Sequence, residues 1–398
     1  MYAQRAMKPL ASRVAHFGPS PFAAMTALAL EYDAVNLGQG FPDFAPPDFV
    51  LEAAQIAFSS NLHQYAPPRG HARLQRALSA NLEGDLGYTP DPESEITITV
   101  GATQAMYSSI QALLEPGDEA IILEPTYDMY APQVSLSGGI AKYLPLEPEN
   151  DFALNLSKLR ELCSSRTKIL ILNTPNNPTG KVFSRTELEG IAALALEFDF
   201  YVLSDEAYDR LVYGVEHLRI ASLSGMRERT VTIGSAGKMF SVTGWRIGWA
   251  ISSAPIAAAI RRGAQWVPFA AATPVQEAIA IALEQTKTND YVHSFQQEML
   301  ERRDLLAQML TDAGLEFWLP KGGYFINANT SRFSSDTNAL AKRFVQEIGV
   351  AAMPMQMFYS SEHAHLAPQA LRFAFCKTRE TLLVAGKRLT LDALERLL

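Results

Sequence analysis

From residue 96 to 252 the chain alternates short apolar runs with longer stretches of helical period. Ile96–Val100 (ITITV) is short and β-branched, which predicts a strand. The amphipathic run Ala102–Leu114 stops at Pro116-Gly117 and predicts a helix. Glu119–Leu123, Lys168–Leu172, Tyr201–Ser204, Thr230–Ile233 and Ile247–Ile251 repeat the strand pattern, with helical stretches near 185–198 and 254–264. These strands show little polar alternation, so both their faces are expected to be covered. The expectation is an α/β unit, a mostly parallel sheet between helices.

After about residue 285 the texture changes. A polar amphipathic stretch over 287–313 predicts a long helix. Short strands are expected at Glu316–Leu319, Tyr324–Asn327 and Leu371–Phe375, and closing helices near 337–348 and 379–397. This is a smaller α+β unit. The expected division is an N-terminal arm and helix over 1–41 that joins the small unit, a large α/β domain over 42–284 and a small domain over 285–398. No internal repeat and no Ser/Gly linker interrupts the pattern.

Composition narrows the function. A chain of 398 residues, 48% hydrophobic, has enough apolar material for a substantial core. A net charge of −8 makes it a poor general binder of nucleic-acid backbone, although a local basic pocket still suits a small anion. The two cysteines, Cys163 and Cys376, sit in no CxxC or Cys/His cluster. They predict neither a disulfide framework nor a metal site, and a reducing, cytoplasmic setting is expected. No run of 18 apolar residues predicts a membrane span. The first 30 residues lack Asp and Glu and carry Arg5, Lys8 and Arg13. That composition suits a transit peptide or a short arm before a helix, and the arm is the reading preferred.

The candidate chemistry sits where strands end. Ser235-Ala-Gly-Lys238 follows the strand TVTI, at the edge where open α/β sheets place ligands. A lysine among small residues has room to form a Schiff base with an aldehyde cofactor; an ordinary surface lysine is the alternative. Asp205 ends another apolar strand, 33 residues earlier. It either pairs with a pyridinium nitrogen or caps the next helix. Tyr208, three residues on, is placed to hydrogen-bond a phenolate-type oxygen. Asn177 lies in the dense turn Asn173–Gly180, which either presents its amide to a ligand or is only a turn. Gly101-Ala102-Thr103 opens a helix, whose free N–H groups suit a phosphate. It lacks the GxGxxG and GK[ST] patterns of nucleotide loops. Arg246 and Ser235 are candidates to clamp the same phosphate. Arg372 sits inside an apolar strand and either grips a carboxylate or faces solvent from an edge strand.

With these residues in hand, the chain resembles the class I aminotransferases of pyridoxal phosphate fold type I, from about Pro21 to the C-terminus. The markers are Asn36–Phe44 (NLGQGFPDF), Asn61–Tyr65 (NLHQY), Val100–Thr103, Asn176–Gly180, Ser204–Tyr208, Ser235–Lys238, Thr243–Gly248 and Arg372–Phe375. GQGFPDF and EPTYDMYAP point to the methionine and kynurenine/glutamine aminotransferase branch. The resemblance implies pyridoxal 5′-phosphate as cofactor, with Lys238 as the Schiff-base lysine and Asp205 at the pyridine nitrogen. It places Tyr208 and Asn177 at the 3-oxygen and Tyr127 on the ring face. Ala102, Thr103, Ser235 and Arg246 would form the phosphate cup. Tyr65 would reach the phosphate of the neighbouring subunit, which implies a homodimer. Arg372 would hold the substrate α-carboxylate, assisted by Asn177 and the Gly40 backbone, and Phe22 would line the side-chain pocket.

Three positions depart from the branch. Arg246 stands where lysine is frequent, Thr103 where the mammalian kynurenine enzymes have tyrosine, and the alanine-rich Pro268–Thr273 where those enzymes carry bulkier pocket residues. The implied activity is ping-pong transfer of an amino group from an L-amino acid to a 2-oxo acid. Methionine is the first donor expected, followed by aromatic amino acids, glutamine and kynurenine. A carbon–sulfur β-lyase on the same scaffold is the alternative enzyme. A cofactor-binding transcriptional sensor is the non-catalytic alternative, and it requires a helix-turn-helix module for which the sequence leaves no room.

Overall fold

The computed structural model describes residues 11–15, 17–18 and 21–398. Arg5 and Lys8 of the arm lie outside these residues. The helix Pro21–Glu31 leads into a short strand, β1 (Val35–Asn36). The large sheet then collects β2 (Ile96–Val100), β3 (Glu119–Glu124), β4 (Ile140–Pro145), β5 (Thr167–Asn173), β6 (Tyr201–Asp205), β7 (Thr230–Ser235) and β8 (Ile247–Ile251). Their order across the sheet is β2-β8-β7-β6-β5-β3-β4. Only β8 runs antiparallel to its neighbours. The expected architecture is therefore the one observed.

Alternation of side chains along each strand explains the two covered faces. Ile121, Leu123, Leu170 and Leu172 point to one side and pack with Leu188 and Ile191 of the helix Arg185–Phe198. Ala120, Ile122, Ile169 and Ile171 point to the other and pack with Met106 and Ile110 of Gly101–Leu113 and with Ile256 and Ile260 of Ala254–Ala264. The helix Arg185–Phe198 starts where Ser184 and Glu187 cap each other reciprocally.

The sequence pattern missed β4. It is an edge strand on which Leu144 alone is fully buried, so no continuous apolar run announces it. Three helices also differ from expectation. The long one begins at Tyr291, after a turn. The stretch 337–348 is α-helical over Thr337–Arg343 and continues as a wider π turn to Ile348, where Gly349 at φ 75° ends it. The closing stretch is two helices, Arg379–Arg388 and Leu391–Glu395, because Thr390 caps the second through its hydroxyl.

The smaller sheet is antiparallel. Its strands are β9 (Phe317–Trp318), β10 (Phe325–Asn329), β12 (Met353–Pro354) and β13 (Ala370–Ala374), in the order β12-β13-β10-β9. Arg372 is therefore on an interior strand, not an edge, opposite Asn327. The remaining strand, β11 (Val350–Ala351), pairs in parallel with β1. Met25, Ala29 and Leu37 share one core with Leu306, Phe344 and Phe373, so the N-terminal helix packs with C-terminal elements. Residues 37–41 then pass over the edge of the large sheet. Leu37 O accepts from Ala374 N, and Phe41 O accepts from Lys377 Nζ at 2.8 Å.

Candidate active site

Every parallel strand of the large sheet ends at the same edge. β8 is antiparallel to both β2 and β7, so β2 also points there. Val100, Asn173, Asp205 and Ser235 thus close their strands along one line. That edge and the small unit enclose a cavity of about 510 Å³. Lys238, Asp205, Tyr208, Asn177, Tyr127, Ala102, Thr103, Ser235, Arg246, Arg372, Gly40 and Phe22 all line it. Residues up to 350 positions apart in sequence are brought together (Phe22 to Arg372).

Lys238 sits on the short turn of helix Ala236–Met239, directly after β7. Its ammonium donates to Gly40 O at 2.9 Å and lies 5.4 Å from the centre of the Tyr208 ring. Burial, reinforced by Arg372 and Arg246, pulls its pKa down to about 8. Asp205 is buried. One carboxylate oxygen accepts from the Tyr130 hydroxyl at 2.7 Å and the other from Ala207 N at 3.2 Å. Burial raises its pKa against those two donors and the Lys238 charge. No cation among the described residues forms an ion pair with it.

Arg372 is 1% exposed. Nη1 donates to Asn177 Oδ1 at 2.6 Å and Nη2 to Gly38 O at 2.8 Å, while Nε has no partner. The guanidinium lies 3.8 Å from the Phe325 ring centre and 4.5 Å from that of Phe358. Burial lowers its pKa to about 10. A buried guanidinium without a carboxylate is costly, and an incoming carboxylate relieves that cost.

At the opposite end, Gly101 at φ 73° opens the helix Gly101–Leu113. A Cβ there would come 2.6 Å from Arg246 Nη2, and a Cβ on Gly248 would come 2.4 Å from Gly101 C. Only glycine lets the helix N-terminus, Arg246 and β8 meet. Free N–H groups, an exposed arginine and the Ser235 hydroxyl converge there, which is the donor set a phosphate needs.

The residues fit pyridoxal phosphate on three independent counts: a buried acid without a paired cation for the ring nitrogen, a half-buried amine for the aldehyde and an anion cup for the phosphate. No group of three or more metal-ligating side chains gathers among the described residues. No helix there is long and apolar enough to cross a membrane.

Tyr65 does not line this cavity. It is 86% exposed and packs edge-on against Phe269 at 5.4 Å. The alanines of 268–273, expected in the side-chain pocket, do not line the cavity of their own chain either. They lie beside Tyr65, where Thr273 Oγ1 donates to Gln64 O at 2.6 Å. Phe22, Phe41 and Phe325 form the apolar wall instead.

Sequence reasoning passed over Tyr130, Asn173 and Asp128. Asn173 ends an apolar strand as Asp205 does, so the same signal marked it. Its amide donates to Asp205 O at 2.9 Å and its oxygen accepts from Asn177 N at 2.7 Å. Asp128 lines the cavity, and burial raises its pKa.

Comparison with known proteins agrees with this geometry. Residues 32–389 match the family model described as aminotransferase class I and II. A probable N-succinyldiaminopimelate aminotransferase of Mycobacterium tuberculosis is 40% identical over 96% of this chain and 98% of its own. The kynurenine–oxoglutarate transaminase of Dictyostelium discoideum is 38% identical over 92% of each chain. The structure of Escherichia coli YbdL, identified with a methionine aminotransferase function, superposes with a TM-score of 0.91 at 35% identity, over 96% of this chain and 99% of that one. The chain therefore belongs to the class I and II aminotransferases, pyridoxal-phosphate-dependent enzymes of fold type I.

Proposed function

We propose that this aminotransferase accepts L-amino acids with uncharged side chains, methionine first, then aromatic amino acids, glutamine and kynurenine. The observation that carries this reading is the inventory of charge in the cavity. Lys238, Arg246 and Arg372 are its only cationic lining residues among those described. Each already has a task, at the cofactor aldehyde, the phosphate and the substrate α-carboxylate. An acidic substrate side chain would find no further cation among this chain's described residues, and Asp128 would repel it. Phe22, Phe41 and Phe325 offer an apolar wall to a thioether or an aromatic ring.

Bound pyridoxal phosphate supplies the aldehyde and a ring able to store an electron pair. The rest is the work of this chain. Arg372 and Asn177 orient the α-carboxylate. Lys238 Nζ, with its pKa near 8, takes and returns the α-proton as a general base and acid. Asp205 holds the proton on the ring nitrogen, and Tyr208 and Asn177 donate to the 3-oxygen. Phe41 and Phe325 give the cavity an apolar lining.

The working unit in this reading is a homodimer to which Tyr65 contributes across the interface. The exposure of Tyr65, Trp266 (82%) and Val267 (64%) on one stretch of surface supports it. Tyr65→Phe then weakens cofactor binding about tenfold, consistent with one lost hydrogen bond to an anion; an unchanged affinity contradicts the contribution. The division into a large domain over 42–284 and a small one over 285–398 joined by 1–41 is part of the same proposal, supported by the separate seven-stranded and four-stranded sheets and by the pairing of β1 with β11.

The test is the visible spectrum of the loaded enzyme, with methionine added and no 2-oxo acid present. The expected result is conversion to the pyridoxamine form, faster than with aspartate or N-succinyldiaminopimelate. Preference for either acidic donor overturns the reading. Pyruvate release from cystathionine as the principal activity moves it to the β-lyase alternative.

A further inference from the structure

The residue that holds the free end of Asp205 has no part in the scheme above. Tyr130 is 1% exposed, and its hydroxyl donates to Asp205 Oδ2 at 2.7 Å. Its ring meets that of Tyr127 edge-on at 6.2 Å. One side chain therefore indexes both the acid assigned to the ring nitrogen and the aromatic assigned to the ring face. We infer that Tyr130 is a positioning residue that keeps Asp205 ionised and aimed at the cofactor ring nitrogen.

The argument is electrostatic. A carboxylate in a buried site tends to take up a proton, and Asp205 is pushed in that direction. Glu206, next in the chain, pushes it further the same way. Were Asp205 to win the proton, the ring nitrogen would lose it, and with it the capacity to draw electrons. The Tyr130 hydroxyl donates only to the ionised oxygen, so it biases the shared proton toward the ring. Burial keeps that hydroxyl protonated, with a pKa well above the ordinary phenol range, so it stays a donor. The other charged or titratable groups facing Asp205 are Lys238, Tyr127 and Tyr208. Of these, none donates a hydrogen bond to the carboxylate. Among the described residues the only other donor is Ala207 N, a backbone group on the same turn that every side-chain substitution but proline leaves in place.

The inference rests on the assignment of Asp205 to the ring nitrogen. Tyr130→Phe deletes the hydroxyl and keeps the ring against Tyr127. With any accepted amino donor, kcat falls about tenfold, KM holds, and the acid limb of the kcat–pH profile moves up by about one unit, the shift one charge-assisted hydrogen bond produces. A second readout needs no turnover. The cofactor-free protein is titrated with 4′-deoxypyridoxine 5′-phosphate, an analogue without the aldehyde, and its absorbance reports ring protonation. The protonated ring fraction falls in Tyr130→Phe and falls further in Asp205→Asn. Adding Tyr130→Phe to Asp205→Asn changes nothing more, because the hydroxyl then has no carboxylate to act through. A Tyr130→Phe enzyme with unchanged pH profile and ring protonation, beside an Asp205→Asn enzyme that has lost protonation, overturns the role of Tyr130 alone. Unchanged ring protonation in Asp205→Asn overturns both assignments. If Tyr130→Phe does not fold, Tyr130→His is read instead; the imidazole restores a donor, and a profile closer to wild type than that of Tyr130→Leu is the expected result, equal profiles the contrary one.

Discussion

Asp205 and Glu206 are neighbours in the chain, and both carboxylates are buried, yet they live in opposite electrostatic worlds. Glu206 accepts from Ser204 Oγ at 2.8 Å, meets His217 Nε2 at 3.0 Å and pairs with the buried guanidinium of Arg219. Arg219 also reaches Asp209 at 2.6 Å and Asp85 at 3.2 Å. Burial pushes the Glu206 pKa up, but Arg219 and His217 outweigh it and leave it below the ordinary value. Asp205 has only neutral donors, and its pKa is raised. Burial is common to the two; compensation is not. The difference separates a group that holds the fold from a group that waits for a ligand. Lys238 and Arg372 fall on the Asp205 side, the first half-buried and the second buried, each bonded only to neutral groups.

Substitutions on the two sides break this comparison in different ways. On the ligand side, Lys238→Ala removes both the cofactor anchor and the proton carrier. Turnover is expected to fall by about three orders of magnitude or more, measured by single-turnover spectroscopy. Asp205→Asn, at nearly constant shape, lowers kcat by about a hundredfold while the melting temperature holds or rises, since an uncompensated acid has been neutralised. Arg372→Lys keeps the charge and loses the two-pronged grip. KM for the amino acid rises by about tenfold or more, with cofactor affinity little changed, as parallel titrations would show.

Glu206→Gln gives the reverse signature. It strips Arg219 of one countercharge and destabilises the fold by about 3–5 kcal/mol in denaturant melts, the usual cost of breaking a buried pair. The acid limb of its kcat–pH profile moves slightly down, opposite to the shift in Tyr130→Phe, because a charge that raises the Asp205 pKa is gone. Because the Glu206 pKa is depressed, its contribution is present above the ordinary carboxylate pKa of about 4 and is lost only as pH falls through the lowered folded value. Lys238 supplies the smallest effect, and its sign is opposite to that of a paired lysine. Its pKa is about 8 in the folded protein against 10.5 ordinarily, so between those values the unfolded chain binds more protons. The cofactor-free protein therefore gains stability as pH rises through that window, and its deficit relative to Lys238→Met closes. A constant deficit across the window contradicts the uncompensated amine.

Much of this was legible before any coordinates. Strand ends named Asp205, Lys238 and the helix opening at Gly101 without reference to a family, because a parallel sheet collects its carboxyl ends on one edge. What one sequence does not display is how charges are shared. Arg219 is an unremarkable arginine until it lies against Glu206, 13 residues away, and Asp85, 134 away. Tyr130 sits among apolar neighbours, and only the fold turns its hydroxyl toward Asp205. Arg372 read equally well as an edge-strand arginine, and its interior place depends on β12 pairing beyond it. The edge strand β4 escaped because half-exposed strands carry a weak pattern.

The central claim is that the uncompensated Lys238 amine is where the cofactor attaches. The most direct measurement is borohydride reduction of the loaded enzyme followed by peptide mass mapping. The account predicts a pyridoxyl phosphate adduct on the peptide that carries Lys238, absent from Lys238→Ala. An adduct on another lysine of the wild-type protein, or none, would contradict it.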